Sequence, residues 1–321
     1  MLSTDKKTFS NLQCEVKTMS LTKQELEKVR ELQMQAAENR RALIKLTYVS
    51  GYSHLGGPLS ACDFLTALYF HFIHWDKEHM TDPERDRFIL SKGHNADILY
   101  CIFANMGLYP MEDLLKEYKQ YLGRWGEHPN RFHNPGFEIC SGSLGHGLPI
   151  ACGMAMAGRI DKSNRRVFCL VGDGELQEGS NWESIMVAGH QEYGNLVLVV
   201  DQNKCQGCRL IEETIRSDNL GERIASFGWD VREVADGNDM KELYETLKGL
   251  PESIPGHRKP ICLLLHTKKG CGVQYMEDGM AKWHAGGIGD DKIDETYASI
   301  DSKLEEQLKE TDRLITACKE E

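Results

Sequence analysis

From Leu26 onward, apolar residues fall at helical spacing (Leu26, Val29, Leu32, Ala36, Leu43, Leu46), and the pattern stops at Gly51;. Thr22 and Glu25 stand ahead of it at the spacing of a capping box, so the ordered chain is expected to begin there;. Residues 1–20 are polar and aperiodic and are read as a flexible tail. Gly56-Gly57-Pro58 reads as a turn that leads, from Ser60, into an apolar helix, ACDFLTALYFHFIHW;. A short strand is expected over 87–91, helices over 96–106 and 111–121, and a loop rich in Gly, His, Pro and Asn over 122–140. In the second half, residues 166–172 and 195–201 are continuous apolar runs ending in polar turns, as strands buried on both faces of a parallel sheet are;. A helix over 182–193 joins them into a strand–helix–strand unit, and residues 260–266 form another such strand;. The helix over 148–158 carries Ala151, Gly153, Ala155 and Ala157, small residues that suit either close approach of a second helix or ordinary core packing;. From about Ile293, Leu304, Leu308 and Ile315 lie among charges and read as a solvated helical tail. No repeat or linker divides the chain. The expected fold is α/β, a parallel sheet flanked by helices in one domain over 21–321.

Composition narrows the function classes. With 321 residues, 40% of them hydrophobic, the chain can bury a large core, which excludes a short interaction module;. Lys and Arg total 38 against 49 Asp and Glu, a net charge of −11, the wrong sign for nucleic acid;. No apolar run approaches the ~18–20 residues of a membrane span, and the first twenty residues lack the apolar core of a signal peptide, so a cytoplasmic protein without membrane contact is expected;. Eleven cysteines scatter from Cys14 to Cys318 and are read as reduced thiols;. The close pair Cys205 and Cys208 has no further ligands at zinc spacing;.

In an open parallel sheet, ligands sit beyond the carboxyl ends of the strands. There the sequence places Gly172-Asp173-Gly174 after one buried strand and Asn203 after the next, with 28 residues between Gly174 and Asn203. Glycine lets the backbone approach a diphosphate, and one carboxylate plus one amide oxygen leave room for phosphate oxygens and water around an octahedral Mg²⁺. Alone, Gly-Asp-Gly is equally the sequence of a turn; the asparagine at that distance turns the reading toward a diphosphate–metal site.

This spacing resembles the diphosphate–metal motif of thiamine diphosphate enzymes. Residues 166–206, RRVFCLVGDGELQEGSNWESIMVAGHQEYGNLVLVVDQNKCQ, resemble transketolases in particular. The likeness continues through SHLGGPLSACD (53–63), DRFILSKGHNADILY (86–100), GEHPNRFHNPGFEICSGSLGHGLPIACGMAMA (126–157) and KKGCGVQYMEDGMAKWHAG (268–286), covering about 22–290 in order. The resemblance implies a thiamine diphosphate-binding fold with Mg²⁺, Ca²⁺ or Mn²⁺ held by Asp173, Asn203 and the backbone carbonyl of Cys205. It places Gly172 and Gly174 at the diphosphate, Gly142 and Leu144 against the aminopyrimidine, and Glu178 beside the cofactor-activating glutamate across a subunit interface. His54, His94, His128 and His284 match the histidines that bind substrate hydroxyls and move protons. Imidazole suits this work because it titrates near pH 7. His71, His74, His79, His257 and His266 are read as ordinary surface or core residues; His133 and His146 are intermediate.

Transketolases have three domains, and the likeness covers the one that binds the diphosphate. The cofactor-activating glutamate belongs to the second domain, which no segment here resembles. The expectation is therefore a split enzyme: a partner subunit carries the pyrimidine-binding and C-terminal domains, two copies of each chain form an α2β2 heterotetramer, and the chain is active only with its partner. The implied reaction is transfer of a two-carbon ketol unit from a ketose, as a sugar or sugar phosphate, to an aldose. The alternatives are a component of the 1-deoxyxylulose-5-phosphate synthase or pyruvate dehydrogenase type, or a catalytically silent regulatory subunit. Leu55, Cys205, Gly207, Cys208 and Ala285-Gly286-Gly287 depart from the common transketolase pattern, which leaves donor and acceptor open.

Overall fold

A computed structural model describes residues 21–251 and 259–318. The tail at 1–20, Cys14 and His257 lie outside the described residues. Helix α1, Lys23–Ser50, opens on the expected capping box: Thr22 Oγ1 accepts from the Glu25 N–H at 3.3 Å, and the Glu25 carboxylate accepts from the Thr22 N–H at 2.9 Å. It closes at Gly51 in the left-handed region, φ 77°;. There follow β1 (Ser53–His54), α2 (Gly56–Ala67) with a π-helical turn at Leu68–Phe72, β2 (Arg87–Leu90), α3 (Ala96–Asn105), α4 (Met111–Glu117) and α5 (Gly147–Asp161). The chain continues through β3 (Val167–Gly172), α6 (Gly179–Gln191), β4 (Leu196–Gln202) and a hairpin of β5 (Cys205–Gln206) and β6 (Arg209–Leu210). It ends with α7 (Leu220–Ser226), β7 (Asp230–Val234), α8 (Met240–Lys248), β8 (Ile261–His266), α9 (Gln274–Asp278), β9 (Ala285–Gly286) and α10 (Ile293–Ala317).

Five parallel strands form the sheet in the order β2-β3-β4-β8-β7, with Gly172 opposite Asp201 and Gln202 opposite His266. The central strands alternate between two apolar clusters. Phe168, Leu170, Val197, Val199, Leu263 and Leu265 pack under α1, α2, α3 and α8. Val167, Cys169, Val171, Leu198, Val200 and Leu264 pack under α5, α6 and α7. Burial on both faces is why these strands read as unbroken apolar runs. The level register brings the strand ends into one row, with Gly172 and Asp201 at its centre.

Four expectations change. Gly56-Gly57-Pro58 is the first turn of α2 rather than a loop before it, since proline costs nothing where the helix has no N–H partner to offer;. Helix α4 ends at Glu117, four residues early, where Tyr118 turns extended and Lys119 takes a positive φ of 57°. The tail helix α10 is docked rather than fully solvated: Thr296, Ile300 and Thr311 are buried, and Asp301 and Asp312 pair with Arg41 and Arg30 of α1. The edge strand β7 and helices α7 and α8 were not anticipated. The small residues of α5 divide, with Ala151, Ala155 and Gly158 buried in the fold while Gly153 has no neighbour within 4 Å of a built Cβ.

Candidate active site

Every residue singled out from the sequence lines one cavity of about 560 Å³ at the carboxyl edge of the sheet: His54, His94, His128, Gly142, Leu144, Gly172, Asp173, Gly174, Glu178, Asn203, Cys205 and His284. Residues from opposite ends of the sequence meet there because β1 pairs antiparallel with β9, His54 opposite Ala285. The pairing continues as Leu55 and Gly56 donate to the carbonyls of His284 and Trp283, at 3.3 and 2.9 Å. The imidazoles of His54 and His94 lie 5.1 Å apart, His54 and His284 5.1 Å, and His94 and His284 5.6 Å, between ring centroids. His128 comes in from the loop between α4 and α5 and packs on Gly142, where φ is +140° and a Cβ would lie 2.5 Å from its ring. Glycine is required there on both counts.

Burial dominates the electrostatics. It pushes His54 and His284 down to about 4, against Glu127 in the first case and with Lys269 reinforcing it in the second. His94 falls well below its ordinary value through burial, helped by Lys92. These three imidazoles are therefore neutral at pH 7, so they serve as hydrogen-bond acceptors and proton takers rather than as groups half charged at rest, which differs from the sequence argument.

The diphosphate end is equally ordered. Asp173 is buried, with Oδ1 accepting from the Gly174 N–H at 2.9 Å and Oδ2 from the Lys204 N–H at 2.7 Å. Asn203 Oδ1 accepts from the Cys205 N–H at 3.1 Å, while Nδ2 donates to Ser60 Oγ at 3.2 Å and Asp201 Oδ2 at 3.3 Å. Burial, with Asp201 close by, pushes Asp173 up to about 7, the mark of a carboxylate lacking its countercharge;. No group of three or more His, Cys, Asp or Glu side chains able to hold a metal occurs among the described residues. One carboxylate, one amide oxygen and one backbone carbonyl instead suit a hard divalent cation whose remaining positions are taken by phosphate and water. The residues present fit that group.

Sequence reasoning missed four charged residues here. Lys92 is buried in an ion pair with Asp201, which also accepts from Ser60 Oγ at 2.6 Å and from Thr267 Oγ1. Lys269 is buried, donates to the Gly207 carbonyl at 2.8 Å, and lies 3.5 Å from His284 Nδ1. Its loop is anchored by Arg40, which donates to the Cys271 carbonyl at 3.0 Å and forms a bidentate pair with Asp63. Glu175 is buried and accepts from the Gly145 and Gly172 N–H groups at 3.0 and 3.2 Å, holding the Gly142–Leu144 turn to the end of β3. Glu127 lies beside His54. The Ser-Lys-Gly-His run at 91–94 was the one available signal, a lysine next to a site histidine. All described cysteines are free, and the tip of the β5–β6 hairpin leaves Cys208 exposed and Cys205 buried.

The sheet, the carboxyl-edge cavity and its phosphate-sized turn define an α/β cofactor-binding domain. The chain belongs to the family described as transketolase, thiamine diphosphate binding domain, which it matches over residues 24–320. One of the two chains of apulose-4-phosphate transketolase from Phocaeicola vulgatus is 36% identical over 284 residues, 88% of this chain and 98% of that one. The 6-deoxy-6-sulfo-D-fructose transketolase subunit of a Clostridium species is 34% identical over 251 residues, 78% of this chain and 90% of that one. Among solved structures, transketolase from Campylobacter jejuni aligns with a TM-score of 0.74 at 27% identity, over 89% of this chain and 47% of that one. The chain thus spans nearly the full length of the Phocaeicola subunit but under half of the solved transketolase. No helix among the described residues is long and apolar enough to cross a membrane.

Proposed function

We propose that this chain is the diphosphate-binding subunit of a cytoplasmic two-chain transketolase, which transfers a two-carbon ketol unit from a ketose to an aldose. The observation that carries this reading is the single cavity in which the Asp173–Asn203 turn pair and the four histidines meet. Asp173, Asn203 and the Cys205 carbonyl hold the divalent metal, Mg²⁺ or a similar ion, that neutralises the diphosphate. Gly172 and Gly174 admit it, and Gly142 and Leu144 face the aminopyrimidine. When bound, thiamine diphosphate supplies the carbon centre that carries the two-carbon unit. The neutral imidazoles of His54, His94 and His284 accept hydrogen bonds from sugar hydroxyls and take or return a proton as the carbonyl and hydroxyl exchange, with His128 closing the cavity opposite Gly142. The sugar carries an anionic tail: the Phocaeicola and Clostridium relatives act, by their names, on a phosphate and a sulfonate sugar.

The partner supplies the cofactor-activating glutamate, with Glu178 at the start of α6 facing it, and the likeness to chains named as one subunit of a transketolase supports this. The test is to purify the chain alone and together with a candidate partner, then assay ketose–aldose pairs with thiamine diphosphate and Mg²⁺. The lone chain is expected to be inactive and the mixture active at equal stoichiometry. In the mixture, Asp173→Ala should abolish metal-dependent cofactor binding by calorimetry. Robust activity from the lone chain, or unchanged cofactor affinity in Asp173→Ala, overturns the reading.

A further inference from the structure

Glu127 lies in the same loop as His128 and is the carboxylate nearest the histidine cluster. Its Oε1 lies 3.0 Å from His54 Nδ1 and 3.5 Å from Lys119 Nζ. Lys119 is fixed in turn: it donates to the Tyr52 carbonyl at 3.3 Å and sits over the rings of Tyr52 and Tyr118, 4.9 and 5.4 Å from their centroids. His54 belongs to a strand of two residues whose other member, Ser53, donates to Asp97 at 2.6 Å and meets the Tyr118 hydroxyl at 3.0 Å. The backbone on which His54 stands is therefore clamped, and its ring faces Glu127 from a fixed base. Nδ1 is buried and lacks a well-aligned hydrogen bond; the Glu127 carboxylate, at the right distance but off the line, is its candidate acceptor. Buried ring nitrogens are seldom left unpaired, and Glu127, 37% exposed, needs only a small rotation to complete the bond;.

We propose that Glu127 is a positioning residue for ketol transfer, holding the proton of neutral His54 on Nδ1 and so leaving Nε2 bare in the cavity as the acceptor for a hydroxyl of the sugar. The proposal rests on the function argued above. Its chemical content is the direction of proton transfer. A neutral imidazole carries one proton, and the partner of one nitrogen decides which nitrogen keeps it. With the proton on Nδ1, Nε2 can take a proton from a hydroxyl; with the proton on Nε2, the ring offers that hydroxyl a donor instead and cannot act as its base there. Burial, reinforced by Lys119, His128 and Lys269, keeps the ring neutral against the opposing pull of Glu127. The carboxylate thus orients the ring without charging it.

Two measurements test this. In the chain labelled with [15N]histidine, long-range 15N–1H spectra, with the His54 ring assigned by its loss in His54→Gln, should show the Nδ1–H tautomer. Glu127→Ala should move it toward Nε2–H. In the assembled enzyme, Glu127→Ala should lower kcat by about 10–100-fold, with KM and cofactor affinity changed by less than about threefold. Glu127→Gln, whose carbonyl can still accept from Nδ1–H, should fall between. An unchanged His54 tautomer in Glu127→Ala overturns the inference, and so does a wild-type kcat in that variant. If the wild-type assembly transfers no ketol unit at all, the functional reading fails, while the tautomer measurement still decides whether Glu127 sets the state of His54.

Discussion

Asp97 shows how a single buried group couples the site to stability. It is 1% exposed, accepts from Ser53 Oγ and its neighbour's Ile98 N–H, and has no cation within ion-pair distance among the described residues. Burial raises it from 3.8 to about 7, against those hydrogen bonds. The sign follows directly. Below pH 4 the carboxyl is protonated folded and unfolded alike; between about 4 and 7 the unfolded chain gives up the proton first, and folding loses free energy, on the order of 4 kcal/mol by pH 8;. Asp97→Asn removes that loss. The thermal midpoint of the variant relative to wild type should therefore rise between pH 5 and pH 8, and a difference that stays flat across that range would show that Asp97 titrates normally. Asp97 could not be picked out from sequence, nor could Lys92, Lys269 or Glu127, because what distinguishes them is burial and company brought by distant segments. Asp173 and Asn203 were legible because their chemistry is tied to local turns at the ends of two adjacent strands.

At the scale of elements, the short β1–β9 pair fixes the site, and a glycine makes it possible. Gly56 donates to the Trp283 carbonyl and accepts from the Gly270 N–H at 3.0 Å. A Cβ there would lie 2.4 Å from the Trp283 oxygen and 2.6 Å from Lys269 Cγ. Gly56→Ala must therefore push the His284 and Lys269 loops away from His54, and overpacking of this kind costs about 1–3 kcal/mol. Turnover of the assembled enzyme should drop by at least about tenfold, since a displacement near 1 Å is costly at a reacting centre; wild-type turnover would show that the loops yield without moving the histidines. Local pattern explains which elements were readable. Helix α1 was found to within a few residues because it carries a capping box, a regular stripe and a terminal glycine. Strand β7, Asp-Val-Arg-Glu-Val, is a half-exposed edge strand and has no continuous apolar run to mark it;. Helix α8 does carry its own signal, Asp239 as N-cap and a buried stripe of Met240, Leu243, Tyr244 and Leu247, which went unread because the strand before it was missed. Gly56-Gly57-Pro58 misled because its glycines serve close packing, with Gly57 against Asn95, rather than a turn.

For the whole molecule, the unfinished surface is the outer face of α5 and α6. Ile150, Met156 and Ile160 on α5 and Met186 and Val187 on α6 are all exposed, although the same two helices bury their opposite faces on the sheet. Contiguous apolar surface of this kind marks an interface, and it lies on the helix that begins beside Glu178, at the rim of the cofactor cavity;. A partner that supplies the missing carboxylate must pass close to that rim, so covering the face and completing the site become one event. Met156→Glu and Val187→Glu change only exposed positions and should leave the fold and thermal midpoint of the lone chain nearly unchanged, within about 0.5 kcal/mol. Charge placed in a desolvated interface should nevertheless weaken assembly by about 10-fold or more for each. Sedimentation of the chain with its partner measures that loss directly, and cofactor affinity in the mixture should fall in parallel, because in this reading the cofactor is gripped from both chains. If both variants assemble as the wild type does, the partner docks elsewhere, and the exposed face of α5 and α6 needs a different occupant.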